Sequence, residues 1–176
     1  MILITTSRRP TRKMRTLTKD LNRVIPESIR MNRGKLNIQG VAEKAIEYKA
    51  DRVLIIERYK GGPGRILFYA IIAEKLKKLL ASALHLKGIK TQSEVGKRTA
   101  IKEGLVITAS TNLNTKIKKL VAVFSNFFRI PYLEYNYCQK AKASMHFSLI
   151  TKNEVKISFT MPTIIKEVGP TLIIKL

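Results

Sequence analysis

The chain has 176 residues, 45% of them hydrophobic, with 34 Lys plus Arg against 12 Asp plus Glu and a net charge of +22. That is enough apolar material for a real core, which excludes a disordered basic tail. It is also enough positive charge to point to a polyanionic partner, nucleic acid being the commonest. A single cysteine, Cys138, excludes an internal disulfide. That cysteine and the two histidines, His85 and His146, are too few to build a metal site, so no cofactor is expected. The longest wholly apolar run, 66–73, is far too short to span a bilayer. The N-terminus is apolar first and basic second, the reverse of a secretory signal, so a cytoplasmic protein without membrane attachment is expected.

In chain order, Ile2-Leu3-Ile4 predicts a short strand leading into the hydroxyl-rich turn Thr5-Thr6-Ser7 and then Arg8-Arg9-Pro10. A helix follows through Ile25, with Pro10 suited to its first position. Met14, Leu17, Leu21 and Val24 share one face of it. Arg8, Arg12, Arg15, Lys19 and Arg23 step by four, three, four and four residues onto the opposite face. The solvated face of any amphipathic helix carries charge, but usually of both signs, and Asp20 is the only acid here. An unbroken cationic stripe repels itself unless an anion lies against it.

A strand is predicted over 28–32, a turn at Arg33-Gly34-Lys35, and a helix capped by Asn37 that runs through Ala50. In that helix Ile38, Val41, Ala42, Ala45 and Ile46 share a face. The strand 53–59 has the centre Val53-Leu54-Ile55-Ile56, apolar on both faces and so buried. Gly61-Gly62-Pro63-Gly64 turns it into an apolar strand over 65–72, a hairpin. Residues 74–92 stay open, since Leu76, Leu79, Leu80, Ala83 and Leu84 have helical spacing while 85–92 reads as a strand. Further on come a strand at 105–110, a helix at 112–128, a strand opened by Pro131 and a short polar segment over 139–143. Strands at 145–150 and 155–160 and an extended piece over 164–176 complete the order.

Around Gly104 the pattern begins again. A shift of 103 residues lays Ile4-Thr5-Thr6-Ser7 on Ile107-Thr108-Ala109-Ser110. The same shift matches Met14, Leu17, Leu21, Val24 and Ile25 to Ile117, Leu120, Phe124, Phe127 and Phe128. The basic face is not kept: Arg8, Arg12, Lys19 and Arg23 fall on Thr111, Thr115, Ala122 and Asn126, and only Arg15 meets a cation, Lys118. Any two strand–helix units resemble each other at this level. If the repeat is real, the chain is two α/β halves built alike, about 1–102 and 103–176, each with its own similar sheet, and the first half holds the binding surface.

The glycine turn is no P-loop, because no Gly-Lys-Ser/Thr follows and a strand comes next. It matches the G-x-x-G of KH domains by letter, yet that loop joins helices. A tight hairpin with Arg58, Lys60 and Arg65 as phosphate contacts fits better. Tyr48, Tyr59, Phe68 and Tyr69 have rings that stack on bases, but the apolar neighbours of Phe68 mark it as core, and no stacking role is assigned. Neither histidine lies in a triad or metal motif, and no paired-carboxylate site is visible, so catalysis is not expected. Ser7 beside Arg8 and Arg9 suits holding a phosphate at a helix N-terminus rather than attacking one.

The run Thr5-Thr6-Ser7-Arg8-Arg9-Pro10, continued by Arg30-Met31-Asn32-Arg33-Gly34, is similar to the opening of Brix-domain proteins. Lys166-Glu167-Val168-Gly169-Pro170 before an apolar strand is similar to that family's closing motif, and Gly62-Pro63 sits where the family keeps a Gly-Pro turn. Family members usually carry Arg then Phe after the closing Gly-Pro, whereas Thr171-Leu172 follow here, so no arginine contact is carried over. The chain ends with that motif and looks like the minimal, archaeal kind, a single Brix domain over 1–176. The resemblance implies a role in ribosome biogenesis, binding precursor ribosomal RNA and aiding its processing, folding or assembly, with other assembly proteins as possible partners and no small-molecule substrate. It also implies an α/β fold with mixed sheets, in two halves like the anticodon-binding domain of class II aminoacyl-tRNA synthetases. The RNA contacts expected are Ser7, Arg8, Arg9, Arg12, Arg15, Lys19, Arg23, Arg30, Arg33, Lys35, Arg58, Lys60 and Arg65. The rivals are a permanent basic ribosomal protein and an RNA-processing enzyme with an unrecognised site.

Overall fold

Five consecutive buried residues, Ile2–Thr6, form β1, an interior strand covered on both faces. The computed structural model describes residues 1–96, 98–101, 103–110, 114–134, 141–161 and 166–176. After β1 come α1 (Arg12–Val24), β2 (Ser28–Arg30), α2 (Ile38–Glu47), β3 (Arg52–Glu57) and β4 (Arg65–Ile72). The chain continues through β5 (Lys75–Lys78), β6 (Leu84–Lys90), the short α3 (Gln92–Val95), β7 (Leu105–Ala109) and α4 (Thr115–Phe128). β8 (Ala143–Thr151), β9 (Glu154–Met161), β10 (Lys166–Glu167) and β11 (Thr171–Lys175) complete it.

The fold is mixed α/β. The described strands form one mixed sheet in the order β2-β1-β3-β4-β6-β11-β9-β8-β7, with β5 on β4 and β10 on β9. Two separate sheets were expected, and this is a correction. The reason is that β6 and β11 pair antiparallel at the middle and join the strands on either side into one. From one end inward, β1 is parallel to β3, β3 antiparallel to β4, and β4 antiparallel to β6. From the other end β7 is parallel to β8, β8 antiparallel to β9, and β9 antiparallel to β11. A bridge from Ile107 to Tyr132 lies beside β7 as β2 lies beside β1.

One core joins α1 and α4 to a single face of the sheet, with Leu17, Leu21, Leu54, Phe68, Phe124, Met145, Ile157 and Leu172 in one cluster. Phe68 of β4 meets Phe124 and Phe127 of α4 edge-on, with centroids 5.5 and 4.6 Å apart, a favoured aromatic geometry. Arg52 at the start of β3 donates to the carbonyls of Asn126 and Phe127 at the end of α4, satisfying groups the helix leaves unpaired. The opposite face is covered by α2, where Val41 and Ala45 pack on Leu3, Val53 and Ile55.

Several boundaries differ from expectation. Thr11 caps α1, its hydroxyl accepting from the Met14 amide, so Pro10 lies before the helix rather than at its first position, and Arg8 lies in the preceding loop rather than on the helix. Asn37 caps α2 as expected, but Ile38 and Ile46 are exposed, because only Val41, Ala42 and Ala45 reach the sheet. Across 74–92 there is no long helix. Ala73 and Glu74 take left-handed backbone angles that reverse the chain, and β5 then pairs with β4, so sheet pairing overrides helical spacing. Gly64 has φ +117°, and an added Cβ would stand 2.4 Å from the Glu57 carbonyl and 2.6 Å from Met14. Glycine is therefore required where the β3–β4 turn passes beneath α1. Among the described residues the strand expected beyond Pro131 appears as the Tyr132 bridge, and Tyr135, Cys138, Asn112 and Ile164 lie outside the described residues.

Candidate nucleic-acid interface

β1, β2 and β3 run parallel, so their C-terminal ends meet at one edge of the sheet, the place where open α/β sheets bind ligands. Three loops leave that edge: Ser7 to Pro10 after β1, Met31 to Asn37 after β2, and Arg58 onward after β3. The Ser7 amide donates to Ile56 O at 2.9 Å and the Met31 amide to Ile4 O at 3.0 Å, so the first residues of two loops are still held by the sheet. Thr5 Oγ1 donates to Met31 O at 3.0 Å and ties β1 to the loop after β2.

The loops enclose a cleft of about 780 Å³ lined by Ser7, Arg8, Arg9, Gly34, Lys35, Glu57 and Arg58. Glu57 is its only acid among the described lining residues, and that carboxylate is paired with Arg65 of the next strand. Arg65 also lies over the Tyr59 ring, 4.8 Å from its centroid. Its contacts thus neutralise the one negative charge at the mouth. Arg33 donates to Leu36 O at 3.1 Å, which fixes it at the turn. Burial, and then repulsion from Arg8, lowers the Arg33 pKa below the ordinary arginine value.

A second cleft of about 420 Å³ adjoins along α1, lined by Arg12, Arg15, Thr16, Lys19, Arg30 and Asn32. Arg30 is aimed by Thr18 Oγ1, which accepts its Nε at 3.2 Å, and by Asn32. Arg15 donates to Pro10 O at 3.3 Å. The first turn of α1 contains no acid, so nothing there opposes an anion at the positive end of the helix. Asp20, the one acid of α1, is 1% exposed and faces inward. It accepts the Gln92 amide at 2.9 Å and is paired with Arg23 at 3.1 Å. Its charge is therefore absorbed by α3 and Arg23, and the outer stripe of Arg12, Arg15 and Lys19 stays wholly cationic.

Of the thirteen residues singled out from sequence, Ser7, Arg8, Arg9, Lys35 and Arg58 line the first cleft and Arg12, Arg15, Lys19 and Arg30 the second. Arg33 stands at the turn between them. Arg23 and Arg65 are set apart by their carboxylate partners, and Lys60 points to another cleft beside α4. Thr16 and Asn32 join the track without having been singled out, since neither carries a charge to betray it. Among the described residues there is no group of three or more His, Cys, Asp or Glu placed to hold a metal ion, and no helix long and apolar enough to cross a membrane.

No family model matches the chain. It is 39% identical over 129 residues to a probable Brix domain-containing ribosomal biogenesis protein of Pyrococcus horikoshii, a match covering 71% of this chain and 57% of that one. A protein of the same description from Thermococcus kodakarensis is 41% identical over 98 residues, 56% of this chain and 46% of the relative. The chain thus spans about half the length of the curated relatives it matches. In structure it is similar to a probable ribosomal biogenesis protein of Aeropyrum pernix, with a TM-score of 0.81, 24% identity, and 99% and 94% of the two chains covered. An archaeal Imp4-like protein gives a TM-score of 0.66 at 20% identity, covering 99% and 97%. These two likenesses are of fold alone.

Proposed function

The chain is a homologue of the archaeal Brix domain-containing ribosomal biogenesis proteins, and on that footing we propose that it is a non-enzymatic RNA-binding factor that grips precursor ribosomal RNA during ribosome assembly. The observation that carries the reading is the pair of adjoining clefts. Eight cations line them, Arg8, Arg9, Lys35 and Arg58 in one and Arg12, Arg15, Lys19 and Arg30 in the other, and the only acid among the described lining residues is already paired. Such a surface lowers the stability of the free protein by self-repulsion and is relieved by a polyanion. Phosphates would lie along α1 and at its N-terminus, held by guanidinium forks, loop amides and Ser7. These contacts position the strand and carry no base sequence.

The chain would act as one domain over 1–176, with two halves built alike at about 1–102 and 103–176, as in the anticodon-binding domain of class II aminoacyl-tRNA synthetases. The matching series of strand pairings toward β6 and β11 supports this. Work in the cytoplasm, with other assembly proteins, goes with the role.

The test is binding to structured ribosomal RNA fragments across a salt series. Eight cleft cations each neutralising one phosphate of unpaired RNA give a log–log slope of about −5.6. The RNA should stay intact with divalent metal, ATP or GTP present. Reproducible cleavage abolished by one point mutation would establish the enzyme reading instead, and retention on mature subunits through high-salt washing would establish a permanent ribosomal protein.

A further inference from the structure

A third cleft opens on the far side of the β3–β4 turn. Its walls are Tyr59 and Lys60, the β5–β6 connection, the first half of α4 and the chain end at Lys175 and Leu176. At about 1130 Å³ it is larger than either cleft of the cationic track. Leu80, Leu84 and Leu176 form the floor, partly buried and packed on the main core. Tyr59 and His85 stand together on one wall, their ring centroids 4.6 Å apart at 55°. Lys60, Lys116, Lys119 and Lys175 are exposed around the rim. No acid is among the described residues that line it.

An apolar floor open to solvent costs free energy, and four like charges around it add repulsion. What relieves both is a flat apolar body bearing an anion. A nucleotide has that chemistry, its base lying against the leucines and aromatic rings and its phosphate between the lysines. An acidic, leucine-rich peptide shares some of it, but the aromatic pair and the position favour RNA. Arg58 lines the first cleft and Lys60, two residues on, lines the third, so one strand can cross the turn from the cationic track without leaving positive charge.

We propose that the cleft between the β3–β4 turn and α4 accepts an unpaired nucleotide of the RNA strand whose phosphates run along α1. This rests on the proposed RNA binding and narrows it, because a base held in a duplex is stacked away and cannot enter. It also divides the lysines of α4: Lys116 and Lys119, one turn apart, line the cleft, while Lys118 does not.

The test titrates a uridine-rich RNA oligonucleotide carrying one 2-aminopurine into the full chain, reading anisotropy for affinity and quenching for base burial. The wild type should bind and quench. Lys116→Gln with Lys119→Gln, both at exposed positions, should weaken binding and reduce the quench, whereas Lys118→Gln should leave both unchanged. Tyr59→Leu should weaken binding roughly five- to hundredfold and relieve the quench. Arg12→Gln with Arg15→Gln should lower affinity yet leave the saturated complex quenched. Salt-sensitive binding without quenching in the wild type would overturn the base site and leave the cationic track standing. So would an acidic leucine-rich peptide that shields Lys116 and Lys119 from acetylation where RNA does not. No RNA binding even at low salt would remove the RNA reading and this site with it.

Discussion

Helices α1 and α4 lie on the same face of one sheet, each following a fully buried five-residue strand, and yet their outer surfaces differ. The inner faces correspond residue by residue. Thr11 caps α1 by accepting from the Met14 amide, and Asn114 caps α4 by accepting from the Ile117 amide, both pairs related by the same 103-residue shift. The buried set Met14, Leu17, Thr18, Leu21 and Val24 answers to Ile117, Leu120, Val121, Phe124 and Phe127. The exception is Asp20, whose counterpart is Val123. The strands beside them diverge on the other face. Thr5 pairs with Ile55 and Thr108 with His146, so the position that is apolar beneath α2 becomes a histidine bonded to Thr108 at 2.9 Å. Packing restricts what faces the core, while an outer face is free to specialise. Here one strand–helix unit keeps a stripe of exposed arginines and the other does not.

The largest effect should come from the shared part. Leu17→Ala and Leu120→Ala remove side chains that are 0% and 6% exposed in one continuous cluster. Each should cost about 2–5 kcal/mol in chemical denaturation, within a single transition. Two separable transitions would mean that the two units fold independently and would break the comparison at its core.

The next effect tests the part that differs. Arg12→Gln with Arg15→Gln keeps helix propensity nearly unchanged and should make the salt slope of RNA binding shallower by about 1.4. Lys118→Gln with Lys152→Gln removes the same charge at exposed positions that line neither the cationic track nor the cleft beside α4, and should change the slope much less. Equal losses would mean that net charge alone governs binding and that the α1 stripe is an ordinary solvated face.

The smallest effect concerns His146, held below the ordinary histidine value by burial and then by nearby Lys156. Its proton is bound more readily in the unfolded chain, so stability is complete above the ordinary histidine value and is lost as pH falls through that value into the acid range. The slope for one proton is at most about 1.4 kcal/mol per pH unit. His146→Gln should flatten the stability profile between pH 7 and 5, measured by denaturation at each pH. The equivalent Ile55 has no such dependence to lose. An unchanged profile would show that His146 is not the group responsible.

Much of this was legible in the residues themselves. The spacing of Leu17 and Leu21 marks a core face because a helix turns every 3.6 residues, and Val53 to Ile56 marks a buried strand because it is apolar on both faces. The arginine track was legible because charge of one sign, repeated at helical spacing, has no packing explanation. Residues 74–92 were not, since Leu76 and Leu80 share a helical period, whereas in the fold Leu76 lies in β5 beside β4 and Leu80 in the bend that follows. Thr16 and Asn32 were not either, being neutral groups that matter only through the cations beside them.

What the sequence by itself determined is composition and period: a globular basic chain, a bipolar first helix, an echo of its core face 103 residues later, and the Brix-like motifs at both ends. Only the tertiary structure decided which charges remain available. Asp20 is turned inward to the Gln92 amide, Arg65 is spent on Glu57, and Lys60 is directed to the cleft of Lys116 and Lys119. It also decided that the sheet is one, because β6 and β11 pair at its centre. The physical reason is one of range. A helical or strand period is set by neighbours a few residues apart, whereas a salt bridge or a strand pairing is set by whatever the rest of the chain brings within a few ångströms.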